Sequence, residues 1–166
     1  MPDITTALAD NRAAVDDLIA AAEKSESVWT TPRAPRKWSP SQVVEHVALS
    51  LEESANVAAG VPSKFPSLPR LIRPVVRLVF RWILRRQSFP KGKTPKPFDP
   101  AAGSATPAEA RVRLEEAATK FDQKCRTCAA GGGAVASTVF GTISVDDYVR
   151  FQALHVRHHM KQLPPA

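Results

Sequence analysis

Three short runs in this 166-residue chain each announce the start of a helix, and no stretch of it announces a strand. Ser39-Pro40-Ser41-Gln42 reads as a capping box: Ser is the cap, Pro occupies the first helical position where its missing N–H costs nothing, and Gln reaches back to the cap. Thr106-Pro107-Ala108-Glu109 repeats the pattern. Ser144-Val145-Asp146-Asp147 caps the last helix, extending to Leu163, and sets two carboxylates at its positive end. A further helix over residues 3 to 25 follows from Ile4, Leu8, Val15, Leu18, Ile19 and Ala22 at helical intervals. With no alternating pattern and no internal repeat, the expectation is an all-α protein. It would be a four-helix bundle in one domain over residues 1–166, long enough to bury a core without disulfides or a structural metal.

Between the helices the chain is punctuated. Prolines in VWTTPRAPRKW end the first helix and leave Trp29 and Trp38 as anchors at one end of the bundle. Val43, Val44, Val47, Ala48 and Leu51 give the buried face of the second helix, and Ala110, Leu114, Ala117, Ala118 and Phe121 that of the third, out to about Cys128. Gly131, Gly132 and Gly133 follow a helix, have no strand before them and no GK[ST] after them, so they make no phosphate loop. Cys125 and Cys128 lack both a βαβ setting and a second pair, and read as ordinary residues near a helix end.

The net charge of +7 belongs to one segment: from Ser54 to Phe98 there are ten Lys or Arg and no Asp or Glu. Within it Arg70, Arg73, Arg77, Arg81 and Arg85 recur every three or four residues with apolar residues between them. The stretch Arg70 to Arg86 therefore reads as a long basic crossover helix between helices two and three. It is expected to pack a broad apolar face on the bundle and reach its arginines to water; a membrane-surface helix and a dimer contact are the alternatives. A Pro-, Gly- and Lys-bearing loop, QSFPKGKTPKPFDPAAGSA, comes next. The arginines sit among aliphatic residues rather than exposed stacking aromatics, which argues against nucleic acid as partner. An N-terminus without an apolar signal core, no run long enough to span a bilayer and only two cysteines make the cytoplasm the expected location.

The last helix carries three of the four histidines. His155 and His159 stand four residues apart, so they share one helix face with Cβ atoms about 5–6 Å apart, a separation one metal ion can bridge. His46 lies on the second helix, and a bundle that turns it toward this pair would gather three neutral imidazoles. That ligand count leaves a coordination position open and the ion's charge uncompensated, so the site would favour a hydroxide, a thiolate or an anionic group of a substrate. His158 is one 100° step from His159 and borders the site. Gln152 and Gln162 lie one turn either side of the pair, within reach of an imidazole or the ion's other ligands. Gln42 and Ser50 lie one turn either side of His46. Tyr148 lines the cavity or belongs to the core, and Glu53 orients His46, acts as a base, or stands exposed.

Trp38-Ser39-Pro40-Ser41-Gln42-Val43-Val44-Glu45-His46, then Phe140-Gly141-Thr142-Ile143-Ser144 and His155-x-x-His158-His159-x-x-Gln162, resemble in order and spacing the DinB/YfiT-like superfamily of metal-binding four-helix bundles. The likeness runs over nearly the whole chain, and the basic region from Pro69 to Pro97 is similar to an insertion in some members. The resemblance implies that His46, His155 and His159 hold a divalent transition metal, usually zinc or nickel. It also implies, as often in the family, a homodimer, and hydrolysis or thiol S-transfer on a small molecule; the alternative is a non-catalytic bundle that binds a metal or ligand and uses its basic helix for contact with a partner. It does not fix the substrate.

Overall fold

The computed structural model describes residues 3–90 and 94–164. Residues 91–93, inside the loop after the basic segment, and both chain ends of the expected 1–166 domain lie outside the described residues. The chain folds as α1 (Ile4–Glu23), α2 (Pro40–Ala58), α3 (Arg73–Arg86), α4 (Pro107–Ala130), β1 (Ala134–Ser137), β2 (Gly141–Ser144) and α5 (Val145–Met160). Among the described residues this is mainly α, with five helices and one two-stranded sheet.

The caps work largely as their chemistry requires. Asp3 accepts from the Thr6 N–H at the head of α1, and Ser144 accepts from Asp147 at the head of α5. At α2 the capping box closes in both directions: Ser39 accepts from the Gln42 N–H, and the Gln42 side chain accepts from the Ser39 N–H. The box at α4 is only half made. Thr106 accepts from Glu109, but the Glu109 carboxylate turns to the N–H of Ala105 instead of that of Thr106.

Four long helices build the core. α2 lies along α4 and α1 along α5, with α1 also meeting α4. Leu8, Val15 and Leu18 of α1, Val43, Val47 and Leu51 of α2, Leu114 and Phe121 of α4, and Val149 and Val156 of α5 are fully buried between them. α2 is buried on nearly all sides, and its small Ser41, Ser50, Ser54 and Ala55 allow neighbours to close on it. Arg113 of α4 bridges Glu52 and Glu45 of α2 at 2.6 and 3.4 Å.

Two expectations need correction. The chain is not purely helical: β1 and β2 pair antiparallel, with Ala134 opposite Ser144 and Val135 opposite Ile143. Four-residue strands hold a single inward apolar pair, Val135 and Ile143, too little for alternation to register in the sequence. Gly132 and Gly133, both at positive φ, turn the chain from α4 into this hairpin. The crossover helix is also shorter than Arg70 to Arg86, since Arg70–Ile72 is a 3-10 turn, and only part of its apolar surface packs on the bundle. It buries only Phe80, Ile83 and Leu84.

Candidate metal centre

α2 and α5 bring the three histidines together. His155 Nε2 is 3.0 Å from His159 Nε2 and 3.4 Å from His46 Nε2, and one ligand nitrogen from each lies within 4.8 Å of the others. Nitrogens bound tetrahedrally at the usual zinc–nitrogen length stand about 3.3 Å apart, so these three are already spaced to hold an ion. The tautomer of His46 fits as well. Its Nδ1–H donates to the main-chain carbonyl of Phe98 at 2.6 Å, which leaves the Nε2 lone pair bare and aimed at the other two rings.

All three rings are kept uncharged. Burial lowers the pKa of His46 and, with the repulsion that a second protonated ring would meet, that of His155 well below its ordinary value; His159 falls to about 3 for the same reasons. His155 is half-buried and lines the cavity together with the other three histidines. Neutral imidazole is the form that ligates. The donor set, its spacing and its protonation thus suit a transition metal, whereas calcium or magnesium would ask for oxygen ligands.

The histidines sit at the base of a cavity of about 690 Å³ with an aromatic wall. The Trp38 ring centre lies 4.7 Å from that of His46. Phe65 and Phe98 stack at 4.5 Å, and Phe89 packs against His155 and His158 at 5.7 and 5.5 Å. Arg36, Lys37 and Asp99 give the cavity its charge, and Asp99 is held by the indole N–H of Trp38 at 3.0 Å.

The remaining candidates divide. Ser50, Tyr148, Gln152, His158 and Gln162 line the cavity. Gln152 is buried, and among the described residues its Oε1 has no partner. Burial raises the Tyr148 phenol far above its ordinary pKa, so it serves as a neutral hydroxyl. His158 lies at the side and outside the converging three. Gln42 and Glu53 are not cavity residues. The Gln42 amide is spent on the carbonyls of Pro100 and Ala101. Glu53, far from being exposed, is buried and accepts from the Lys64 N–H at 2.6 Å and from Asn56 at 3.3 Å, fixing the chain that leaves α2. Cys125 and Cys128 take no part: burial raises both thiols, which keeps them protonated.

Sequence reasoning missed the wall. In the sequence Trp38 reads as an anchor and as the first residue of the run that leads to His46, and no motif marks Phe65, Phe89, Phe98 or Asp99. A signal existed in Phe89-Pro90 and Phe98-Asp99-Pro100: an aromatic ring in a proline-rich loop needs somewhere to be buried.

No curated protein and no solved structure matches the chain. A family model matches residues 6–166, all but its first five residues, and the chain belongs to the family described as "Protein of unknown function (DUF1569)".

Proposed function

We propose that this is a metal-dependent protein of the DinB/YfiT-like type, in which α1, α2, α4 and α5 form the four-helix bundle. In this reading His46, His155 and His159 hold one zinc or nickel ion, and the chain acts on a small molecule by hydrolysis or thiol S-transfer. The observation that carries the reading is the convergence of three uncharged Nε2 atoms at the base of a cavity wide enough for a ligand. A bundle that merely sequestered metal would need no such opening.

The bound ion would supply Lewis acidity, lowering the pKa of a water or thiol and so generating a nucleophile at neutral pH. The protein's residues do the rest. The Phe98 carbonyl holds the His46 ring in its ligating orientation. Trp38, Phe65 and Phe89 keep water from the apolar part of a substrate, strengthening polar contacts beside it. Gln152 Oε1 offers an acceptor to an N–H, O–H or S–H of the ligand. Asp99, the one carboxylate in the cavity wall among the described residues, is positioned by Trp38 to take a proton.

Elemental analysis is the first test. The purified protein should carry about one divalent transition metal per chain, and His46→Ala, His155→Ala and His159→Ala should each lose most of it. Undiminished metal in all three would overturn the ligand assignment. Loaded protein should then turn over either esters and amides, or an electrophile together with a low-molecular-weight thiol. Turnover must vanish with metal removal and in His159→Ala; the thiol requirement separates transfer from hydrolysis.

A further inference from the structure

Helix α3 leaves a second apolar side bare. Leu71, Val75, Leu78, Val79 and Trp82 recur at three- and four-residue steps, so they share one side of the helix and the turn before it. They are 92, 63, 69, 42 and 44% exposed. A contiguous apolar surface of this kind calls for a cover. Alongside it Arg77, Arg81 and Arg85 follow one another at four-residue steps, while Arg70, Arg73, Arg77 and Arg81 line a groove of about 440 Å³ against Phe140 and Gly141. Among the described residues none of these arginines pairs with a carboxylate. Arg73 and Arg77 donate only to the main-chain carbonyls of Leu68 and Thr142.

We infer that α3 lies in the surface of an anionic phospholipid bilayer, with its bare apolar side among the acyl chains and its arginines on head-group phosphates. Two demands must be met at once, burial of aliphatic side chains and neutralisation of unpaired guanidinium groups, and the bilayer interface meets both. A second copy paired through the same helix would set one arginine line against another, in a segment that has no acidic residue from Ser54 to Phe98. Nucleic acid would match the charge and leave Leu71 and Leu78 in water. At about 21 Å for its fourteen residues α3 is suited to lying flat. No helix of the described residues is long and apolar enough to cross a membrane. Trp82, the last of the five along the helix, brings to this side an indole, a ring enriched at lipid boundaries. None of this depends on the metal reading.

Vesicle co-sedimentation of the full chain tests it. The protein should bind vesicles of equal parts phosphatidylglycerol and phosphatidylcholine, release them at high salt, and ignore phosphatidylcholine alone. Trp82 fluorescence should shift to the blue on binding, and the shift should be absent in Trp82→Phe. Replacing Arg77, Arg81 and Arg85 by Gln should lower binding by about a hundredfold, as expected for three surface charges near anionic lipid. Leu78→Asn should also weaken it, with the circular dichroism of both variants unchanged because the sites are exposed. Indifference to both vesicle types overturns the inference. Dimerisation lost in Leu78→Asn would then assign the face to a second copy, and salt-sensitive RNA or DNA binding lost with the arginines would assign it to nucleic acid.

Discussion

His46 and Glu53 are seven residues apart on one helix, two turns along the same side, yet they do unrelated work. His46 is turned to the cavity with its far nitrogen tied to Phe98, whereas Glu53 is consumed by the backbone of Lys64. Glu53→Ala should therefore cost about 1–3 kcal/mol of stability, by stranding an N–H donor that a carboxylate had satisfied, and leave metal content unchanged. Urea melts beside elemental analysis check both halves; loss of metal in this variant would place Glu53 in the centre after all. The histidines were legible in the sequence because helical periodicity fixes where residues four apart must point. What was illegible is who answers them. Phe98 contributes a carbonyl, a group every residue owns, and the amide of Gln42 and the carboxylate of Glu53 were claimed by loops whose paths no local pattern encodes.

At the scale of elements, the helix starts could be read because capping is local chemistry, settled within four residues. The hairpin could not, since its strands are too short to carry a period, and neither could the bare side of α3, since amphipathicity shows that a helix has an apolar face but not whether the fold covers it. The segment after α3 is more than a connection. Phe98 holds His46, Asp99 meets Trp38, Pro100 and Ala101 take the amide of Gln42, and Ser104 accepts from Trp29. This strap lies so close to α2 that a Cβ on Gly103 would come within 2.2 Å of the Ser41 carbonyl oxygen. Neither backbone can yield by that much without moving the strap. Gly103→Ala should thus destabilise the protein by about 1–3 kcal/mol and also weaken metal binding, although residue 103 touches no ligand. Thermal melts and a metal titration on the same sample check the pairing of effects; a destabilised variant of undiminished affinity would show that the strap does not govern His46.

The whole molecule should feel the three neutral histidines as a dependence on acidity. Each has a native pKa below the unfolded value of 6.5, so the unfolded chain binds more protons between those values and gains on the folded one as pH falls. Their contribution is intact above about pH 6.5 and is lost below it, continuing for His159 to about pH 3. Metal-free protein should lose up to about 1.4 kcal/mol per pH unit for each histidine held neutral, and added zinc should move the onset of unfolding to lower pH. Denaturant melts across pH 7.5 to 4.5 provide the measurement, and a flat profile would mean that the rings can take up protons in place.

The tie between His46 and Phe98 has a consequence for how such a chain can change over generations. Its acceptor belongs to the main chain, so no point mutation at position 98 can delete it; a new side chain there alters the cavity wall and leaves the imidazole facing the same way. Insertions and deletions are another matter, because one residue more or fewer between Phe98 and Gly103 would carry the carbonyl out of register with the ring. A lineage bearing this arrangement is free to vary the composition of the cavity wall, and with it the ligand, so long as it conserves the length of the loop.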